Sequence, residues 1–295
     1  MPTHTPALVD SAEPLTWLVT GASSGIGHAL AEHALTRGHR VVLAARSTRA
    51  MDALAARFPG SARVVVLDVT SSAQRSAAVQ HTLSQFGPID VLVNNAAVDF
   101  IGAIEEQRET DYRAQFEVNL FGAVDMIRLV LPGMRARRAG TLVNISSMDG
   151  IASLPANGFY SASKFALEGV TEALQQELAP LGIRAFSVQP GSVRTGIEAR
   201  THASGNAIAD YAATSGRFRE QVAAVTPDMF PGDPARVAAA IHDEIVAPTG
   251  RRWLVLGSDA LRRIGAKVAA LQQDLDAAVL TASRTDFPDA GTAVL

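Results

Sequence analysis

The chain has 295 residues, 47% of them apolar and 19% charged, a composition that builds a large core and excludes wholesale disorder. It contains no cysteine, which removes disulfides, thiol catalysis and thiolate metal sites and fits a reducing compartment. A formal net charge of −3 excludes the basic footprint that nucleic acid or an anionic membrane surface requires, so the expected partner is a small molecule, with no nucleic acid and no membrane.

Met1 to Glu13 has no basic start followed by an apolar run and reads as a flexible tail over residues 1–13. Residues 14–295 read as a single domain, since no linker, repeat or low-complexity tract divides them. Apolar runs recur between Ala-rich, helix-compatible stretches: Trp17 to Thr20, Val41 to Ala44, Val64 to Leu67, Val91 to Val93, Leu142 to Ile145 and Ile183 to Val188. Trp253 to Leu256 adds a seventh strand, followed by an amphipathic helix from about Ala260 to Val279 within an extended C-terminal helix and tail over 258–295. These runs are strand-sized, far short of the ~18 apolar residues of a membrane helix, which predicts a soluble, cytoplasmic protein. Continuous apolar strands separated by crossover helices predict an α/β fold of Rossmann type: a doubly wound, mainly parallel seven-stranded sheet with helices on both faces. Between residues 190 and 234 the strand pattern stops, and isolated large side chains, Tyr211, Phe218, Met229 and Phe230, stand among Gly, Pro, Thr and Asp. A long irregular insertion of this kind is the expected substrate lid.

The first strand runs into Thr20-Gly21-Ala22-Ser23-Ser24-Gly25-Ile26-Gly27, with helical sequence from His28 to Arg37. Glycines at a strand-to-helix turn let the backbone approach a pyrophosphate, while the free N–H groups of the helix start face the phosphates. The same residues satisfy Gly-x-Ser-x-Gly, so a hydrolase nucleophile elbow at Ser23, using His202 or His242 downstream, is the rival reading, and a purely structural turn is the bland one. An elbow normally follows several strands rather than the first and leaves Gly27 unexplained.

If a dinucleotide binds, the end of the second strand reads its adenosine ribose. No acidic residue lies between Ala34 and Met51; Arg46 stands there instead, and a guanidinium suits a 2′-phosphate through charge-assisted bonds. NADP(H) is therefore expected over NAD(H), against the alternative that Arg46 is a solvated surface charge. His28, His33 and His39 lack His-x-x-x-His spacing and a completing carboxylate, so they read as solvated and no metal is expected.

Tyr160-Ser-Ala-Ser-Lys164 opens a helix that runs to about Ala179, and residues four apart share a face. The chain has three tyrosines and only two lysines, Lys164 and Lys267, so this spacing is a rare coincidence. A phenol titrates near ~10, and working near neutrality needs roughly 4 kcal/mol of phenolate stabilisation. A cation at ~4 Å in an effective dielectric of ~20 supplies about that much. A surface Tyr–Lys pair is the alternative. Ser147 follows the strand Leu142 to Ile145, at the sheet end where ligands bind, and can donate to a carbonyl, with Ser146 a competing candidate. Asn94-Asn95-Ala96-Ala97 follows the strand Val91 to Val93, while Asn119 lies inside a predicted helix from Thr110 to Leu131, where an Asn costs helix stability and by itself reads as exposed.

Taken together, Thr20 to Gly27, Asn94 to Ala97, Asn119, Ser147, Tyr160 with Lys164, and Pro190-Gly191 resemble the short-chain dehydrogenase/reductase family, in its TGxxxGxG and YxxxK branch, from about Trp17 to Thr195. Gly232-Asp-Pro234, Leu256-Gly-Ser-Asp259 and Thr285-Asp-Phe-Pro288 are similar to longer bacterial members near the 17β-hydroxysteroid and retinol dehydrogenases. The resemblance implies hydride transfer between nicotinamide and a carbonyl or secondary alcohol. Tyr160 would be the acid/base, Lys164 would lower its pKa and hold the nicotinamide ribose, Ser147 would orient the carbonyl, and Asn119 would maintain a water-linked proton relay. It further implies cofactor contacts from Thr20, Gly21, Ser23, Ser24, Gly25, Ile26, Gly27, Arg46, Asp68, Val69, Asn95, Ala96, Pro190, Gly191, Val193 and Thr195, and a homo-oligomer. Met148, Asp149 and Phe159 are the expected substrate contacts; the apolar ones read equally as core and Asp149 as a turn residue. Ala97 departs from the family's NNAG, and Gly196 lies where the lid begins. A binding protein that senses the cofactor without turnover is the remaining alternative, which the intact Ser147, Tyr160 and Lys164 set opposes.

Overall fold

Mainly apolar runs separated by helices pair into one seven-stranded sheet in the structure, a computed structural model, with a few polar side chains such as Asn144 and Gln189 buried among them. It describes residues 13–196, 200–285 and 287; nearly all of the expected tail, most of the sequence beyond the last helix and three lid positions lie outside the described residues. The chain begins β1 (Thr16–Thr20), α1 (Gly25–Thr36), β2 (Arg40–Ala45), α2 (Arg49–Arg57), β3 (Ala62–Val66), α3 (Ser72–Phe86) and β4 (Val91–Asn94). It continues β5 (Asp99–Ile101), α4 (Glu109–Phe116), α5 (Gly122–Arg137), β6 (Gly140–Ile145), α6 (Gly158–Leu178), β7 (Ile183–Pro190), β8 (Thr201–Ala203), α7 (Arg217–Ala223), α8 (Pro234–Val246), β9 (Trp253–Leu256) and α9 (Ser258–Ala282). The seven-stranded sheet has the order β3-β2-β1-β4-β6-β7-β9, and every pairing in it is parallel.

Alternate side chains of β1 fill two cores. Trp17 and Val19 pack with Leu30 and Leu35 of α1 and with Ile241 and Ile245 of α8, whereas Leu18 faces Met126, Val130 and Met134 of α5 and Leu174 of α6. Each fully buried Leu or Phe in these layers contributes about 1.5–3 kcal/mol. The chain winds outward from β1 to β3 and then returns to β4 on the other side of β1. That reversal opens a crevice at the carboxyl ends of β1 and β4.

Three local features differ from the sequence expectation. The helix predicted over Thr110 to Leu131 is interrupted by a π-helical turn, Glu117–Phe121, whose extra residue turns Asn119 inward, where it is buried. The irregular stretch between residues 190 and 234 contains α7 and β8, and β8 pairs in parallel with β5, Asp99 opposite Thr201. Strands of three residues are too short to show an alternation. His39 is buried rather than solvated: Leu15 N donates to its Nδ1 at 3.2 Å, which leaves the proton on Nε2 to face His242 Nε2 at 3.1 Å. Trp17 stacks on His242 with ring centroids 6.0 Å apart, and the His33 ring meets His242 edge-on at 4.9 Å. Burial, reinforced by the neighbouring histidines, pushes His39 down to about 4. No helix among the described residues is long and apolar enough to cross a membrane.

Candidate active site

A cavity of about 580 Å³ occupies the crevice. At its floor the backbone adopts φ +65° at Gly21 and +60° at Gly25, which β-carbon-bearing residues avoid. A Cβ on Gly21 would sit 2.8 Å from Asn95 Nδ2, and one on Gly27 would sit 2.3 Å from it. The space thus kept holds the Asn95 amide, which donates to Thr20 O at 3.0 Å and Gly21 O at 3.1 Å. Thr20 Oγ1 accepts from Asn95 N and Ala96 N at 2.9 and 3.1 Å and donates to Val93 O. Thr20 and Gly27 therefore brace the turn from behind, while Gly21, Ser23, Ser24, Gly25, Ile26, Asn95 and Ala96 line the cavity.

Ser24, the N-cap of α1, makes no side-chain cap bond to that helix, leaving its first-turn N–H groups for an anion. Arg200 donates to Ser24 Oγ and to Thr195 O, setting a guanidinium at the same helix end. Sequence reading missed Arg200 because it lies in the irregular stretch, 176 residues from Ser24. A glycine cradle that a Cβ would close, an open helix start and a guanidinium fit the pyrophosphate of a dinucleotide.

Arg46, Asp68 and Val69 line the far end of the cavity. Asp68 accepts from Thr70 N at 2.9 Å and Thr70 Oγ1 at 2.8 Å, and these bonds hold its carboxyl below the usual range, with Arg46 acting in the same sense. Pro190, Gly191, Val193 and Thr195 form the opposite wall. Gly191 admits the neighbouring Asp259, whose Oδ1 would lie 2.0 Å from an added Cβ and whose Oδ2 accepts from Ser192 N at 2.7 Å.

Ser147, Tyr160 and Lys164 meet at the centre. β6 delivers Ser147, which accepts from Asp149 N at 3.0 Å and bonds the Tyr160 phenol. Ser146 also lines the cavity, but its buried hydroxyl has no hydrogen-bond partner. One turn of α6 separates Tyr160 from Lys164, whose ammonium donates to Ile145 O at 2.9 Å and lies 5.8 Å from the phenol ring centroid. Burial brings Lys164 down to about 8, against the opposing pull of Glu168 and Asp99.

The phenol reverses the sequence expectation. Burial pushes its pKa up, the Asp99 and Asp149 carboxylates push the same way, and the bond to Ser147 opposes them. Lys164 donates to Ile145 O, and the Ser147 bond is the one influence that favours the phenolate, so the protein alone keeps Tyr160 protonated. Asp149 receives Arg263 and accepts from Asn157 Nδ2 at 2.8 Å. Asp99 accepts from Thr201 Oγ1 at 3.2 Å through one oxygen, and its other oxygen is buried without a bond. Burial, then the Asp149 charge, raises Asp99 to about 7, while Thr201 and Lys164 pull the other way.

Asn119 does not line the cavity. Its amide accepts from Val98 N at 2.8 Å and donates to Val98 O at 3.0 Å and Ser163 Oγ at 3.1 Å, so it clamps the loop that carries Asp99. Met148 and Asp149 line the cavity. Phe159 does not: it stacks on Tyr112 of α4 with centroids 4.4 Å apart and belongs to helix packing. The apolar wall comes instead from Leu154, Phe218, Val222, Val225 and Phe230. Tyr211 points away, donating to Glu105 at 2.8 Å, and Met229 is exposed.

A doubly wound sheet with a glycine turn at its reversal and a Ser, Tyr and Lys group at its carboxyl edge defines a class, the oxidoreductases of Rossmann architecture. The family model described as short chain dehydrogenase matches residues 16–205, and the chain belongs to the short-chain dehydrogenase/reductase family. A 3-ketodihydrosphingosine reductase of Bacteroides thetaiotaomicron is 42% identical over 184 residues, covering 62% of this chain and 66% of that protein. Among solved structures, a short-chain dehydrogenase from Streptomyces avermitilis has 38% identity and a TM-score of 0.87, covering 93% of this chain and all of that one. A family member from Burkholderia phymatum in complex with NAD has 25% identity and a TM-score of 0.76, covering 96% and 99% of the two chains.

Proposed function

We propose that this protein reduces a ketone, or oxidises the corresponding secondary alcohol, at the expense of NADP(H), with Tyr160 as the acid/base. The observation that carries this reading is the Tyr160 phenol, bonded to Ser147 and lining the cavity together with Lys164. In reduction the phenol gives its proton to the carbonyl oxygen as hydride reaches the carbonyl carbon, and Ser147 donates to the same oxygen and orients it. When bound, the nicotinamide supplies that hydride, and its oxidised ring adds the positive charge that a phenolate needs. Lys164, one helical turn from the phenol and with its pKa near 8, holds a proton that can be returned to it. Asn119 acts from behind, fixing Val98 and hence Asp99.

Leu154, Phe218, Val222 and Phe230 favour a ketone with an apolar body, a reading to be set beside the 3-ketodihydrosphingosine named for the Bacteroides relative. The reading includes a single domain with a lid over residues 190–234, a homo-oligomer and a cytoplasmic setting. A hydrolase centred on Ser23 is disfavoured, because His242 is engaged with His39 and His202 packs on Phe100.

The cofactor assignment rests on Arg46. A charge-assisted contact is worth about 1.5–3 kcal/mol, so Arg46→Ala raises the KM for NADPH by roughly tenfold or more and leaves that for NADH nearly unchanged. Following NADPH and NADH oxidation over aliphatic, aromatic and steroid-like ketones checks this together with the substrate class. A wild-type preference for NADH contradicts it.

A further inference from the structure

Helix α9 starts on the body of the molecule and then leaves it. Ala260 and Ile264 are buried, whereas every residue from Gly265 to Val279 is exposed. Exposed helices are normally polar, yet Val268, Leu271 and Leu275 are 48%, 44% and 64% exposed. Counted from Ile264, these positions advance by four, three and four residues, the spacing of a two-stranded helical seam. The face that Ile264 buries against the body thus runs on along the projecting helix with nothing among the described residues upon it.

The charges beside the seam say what covers it. Lys267 and Asp274 flank it on the same side, one heptad apart and opposite in sign. In an antiparallel pair whose central layer joins Val268 of one copy to Leu271 of the other, this flank meets itself, so Lys267 faces Asp274 twice across the two-fold axis. A parallel pair sets Lys267 against Gln272 and Asp274 against Val279 and satisfies neither charge. An anionic membrane surface calls for a cationic polar face, and Asp274 and Asp276 near the tip of the helix oppose it.

We propose that α9 is a dimerisation arm that pairs antiparallel with α9 of a second copy of this chain. Arg263, on the first turns of the same helix, is bonded to Asp149 in the cavity, so the arm is anchored at the substrate end of the site.

Sedimentation velocity on the full chain tests the pairing through charge. Lys267→Asp and Asp274→Lys each place like charges together twice and weaken one association step by roughly tenfold or more, and the double reversal restores it. Reversals without effect, or a double variant no better than the singles, overturn the proposal. The chain has no cysteine, which permits a second reading: coexpressed Val268→Cys and Leu271→Cys chains form the mixed disulfide dimer. Cross-linking of Val268→Cys chiefly to itself indicates a parallel pair and overturns the antiparallel one. Binding of the wild type to phosphatidylserine vesicles through this face, or amide protection of α9 in a monomer, assigns the face to a membrane or to this chain's own termini and likewise overturns the proposal.

Discussion

A carboxylate beside a phenol works against the phenolate, and Asp99 does so from the edge of the cavity while one of its own oxygens goes without a bond. Its pKa of about 7 exceeds the 3.8 of an ordinary aspartate. Between those values the folded chain holds a proton that the unfolded chain has released, so this residue's contribution to stability falls as pH rises through the window. Asp99→Asn removes the penalty: its Tm gains on the wild type progressively from about pH 4 to about pH 7 and the gap then levels. The same variant lowers the pKa of Tyr160, so the alkaline fall in ketone reduction moves to lower pH. A Tm gap independent of pH, with an unmoved alkaline limb, contradicts the placement of Asp99. Legibility at this scale followed distance along the chain. Tyr160 and Lys164 lie one helical turn apart and were evident, whereas Asp99 meets Thr201 across 102 residues and Asp149 meets Arg263 across 114. The raised pKa of Tyr160 was missed for the same reason, since the burial that raises it, and the Asp99 and Asp149 carboxylates that reinforce it, arise only in the assembled fold.

Between elements, the seam where α1 and α8 cover β1 carries its own pH dependence. Burial comes first among the causes that lower His33, His39 and His242, and His39 falls to about 4 from the ordinary 6.5. A depressed histidine adds stability that is fully present above the ordinary value and is lost as pH falls toward the folded one. This seam therefore destabilises the protein from about pH 6.5 down to about pH 4, opposite in sense to Asp99. His39→Gln keeps an acceptor for Leu15 N and flattens this slope, removing on the order of 2 kcal/mol of its total change. Denaturant unfolding at a series of pH values measures it, and an unchanged slope contradicts the account. The sequence showed helical character for α1, but the meeting of His39 and His242 joins residues 203 apart and no local pattern announces it. The π turn at Glu117–Phe121 was hidden for a different reason: an inserted residue leaves the apolar pattern of α4 and α5 intact on either side, and only the polar Asn119 at mid-helix marked it.

Across the molecule, sheet order turns local motifs into a site. All seven strands were evident as apolar runs, because strands covered by helices on both faces are built mostly from apolar residues, the buried Asn144, Ser187 and Gln189 being exceptions. The glycine turn and the residues after β4 and β6 then converge at the one place where the winding reverses. The stretch between residues 190 and 234 was recognisable only as an absence of pattern, and its contributions, Phe218, Val222 and the guanidinium of Arg200, emerge once β8 has paired with β5. The central claim is that this convergence makes Tyr160 the proton donor to a ketone. Comparing wild type with Tyr160→Phe, by NADPH binding and by NADPH oxidation with the best ketone substrate, tests it most directly. The account predicts binding nearly unchanged and turnover lowered by at least about a hundredfold; a variant that binds NADPH and retains the full rate would contradict it.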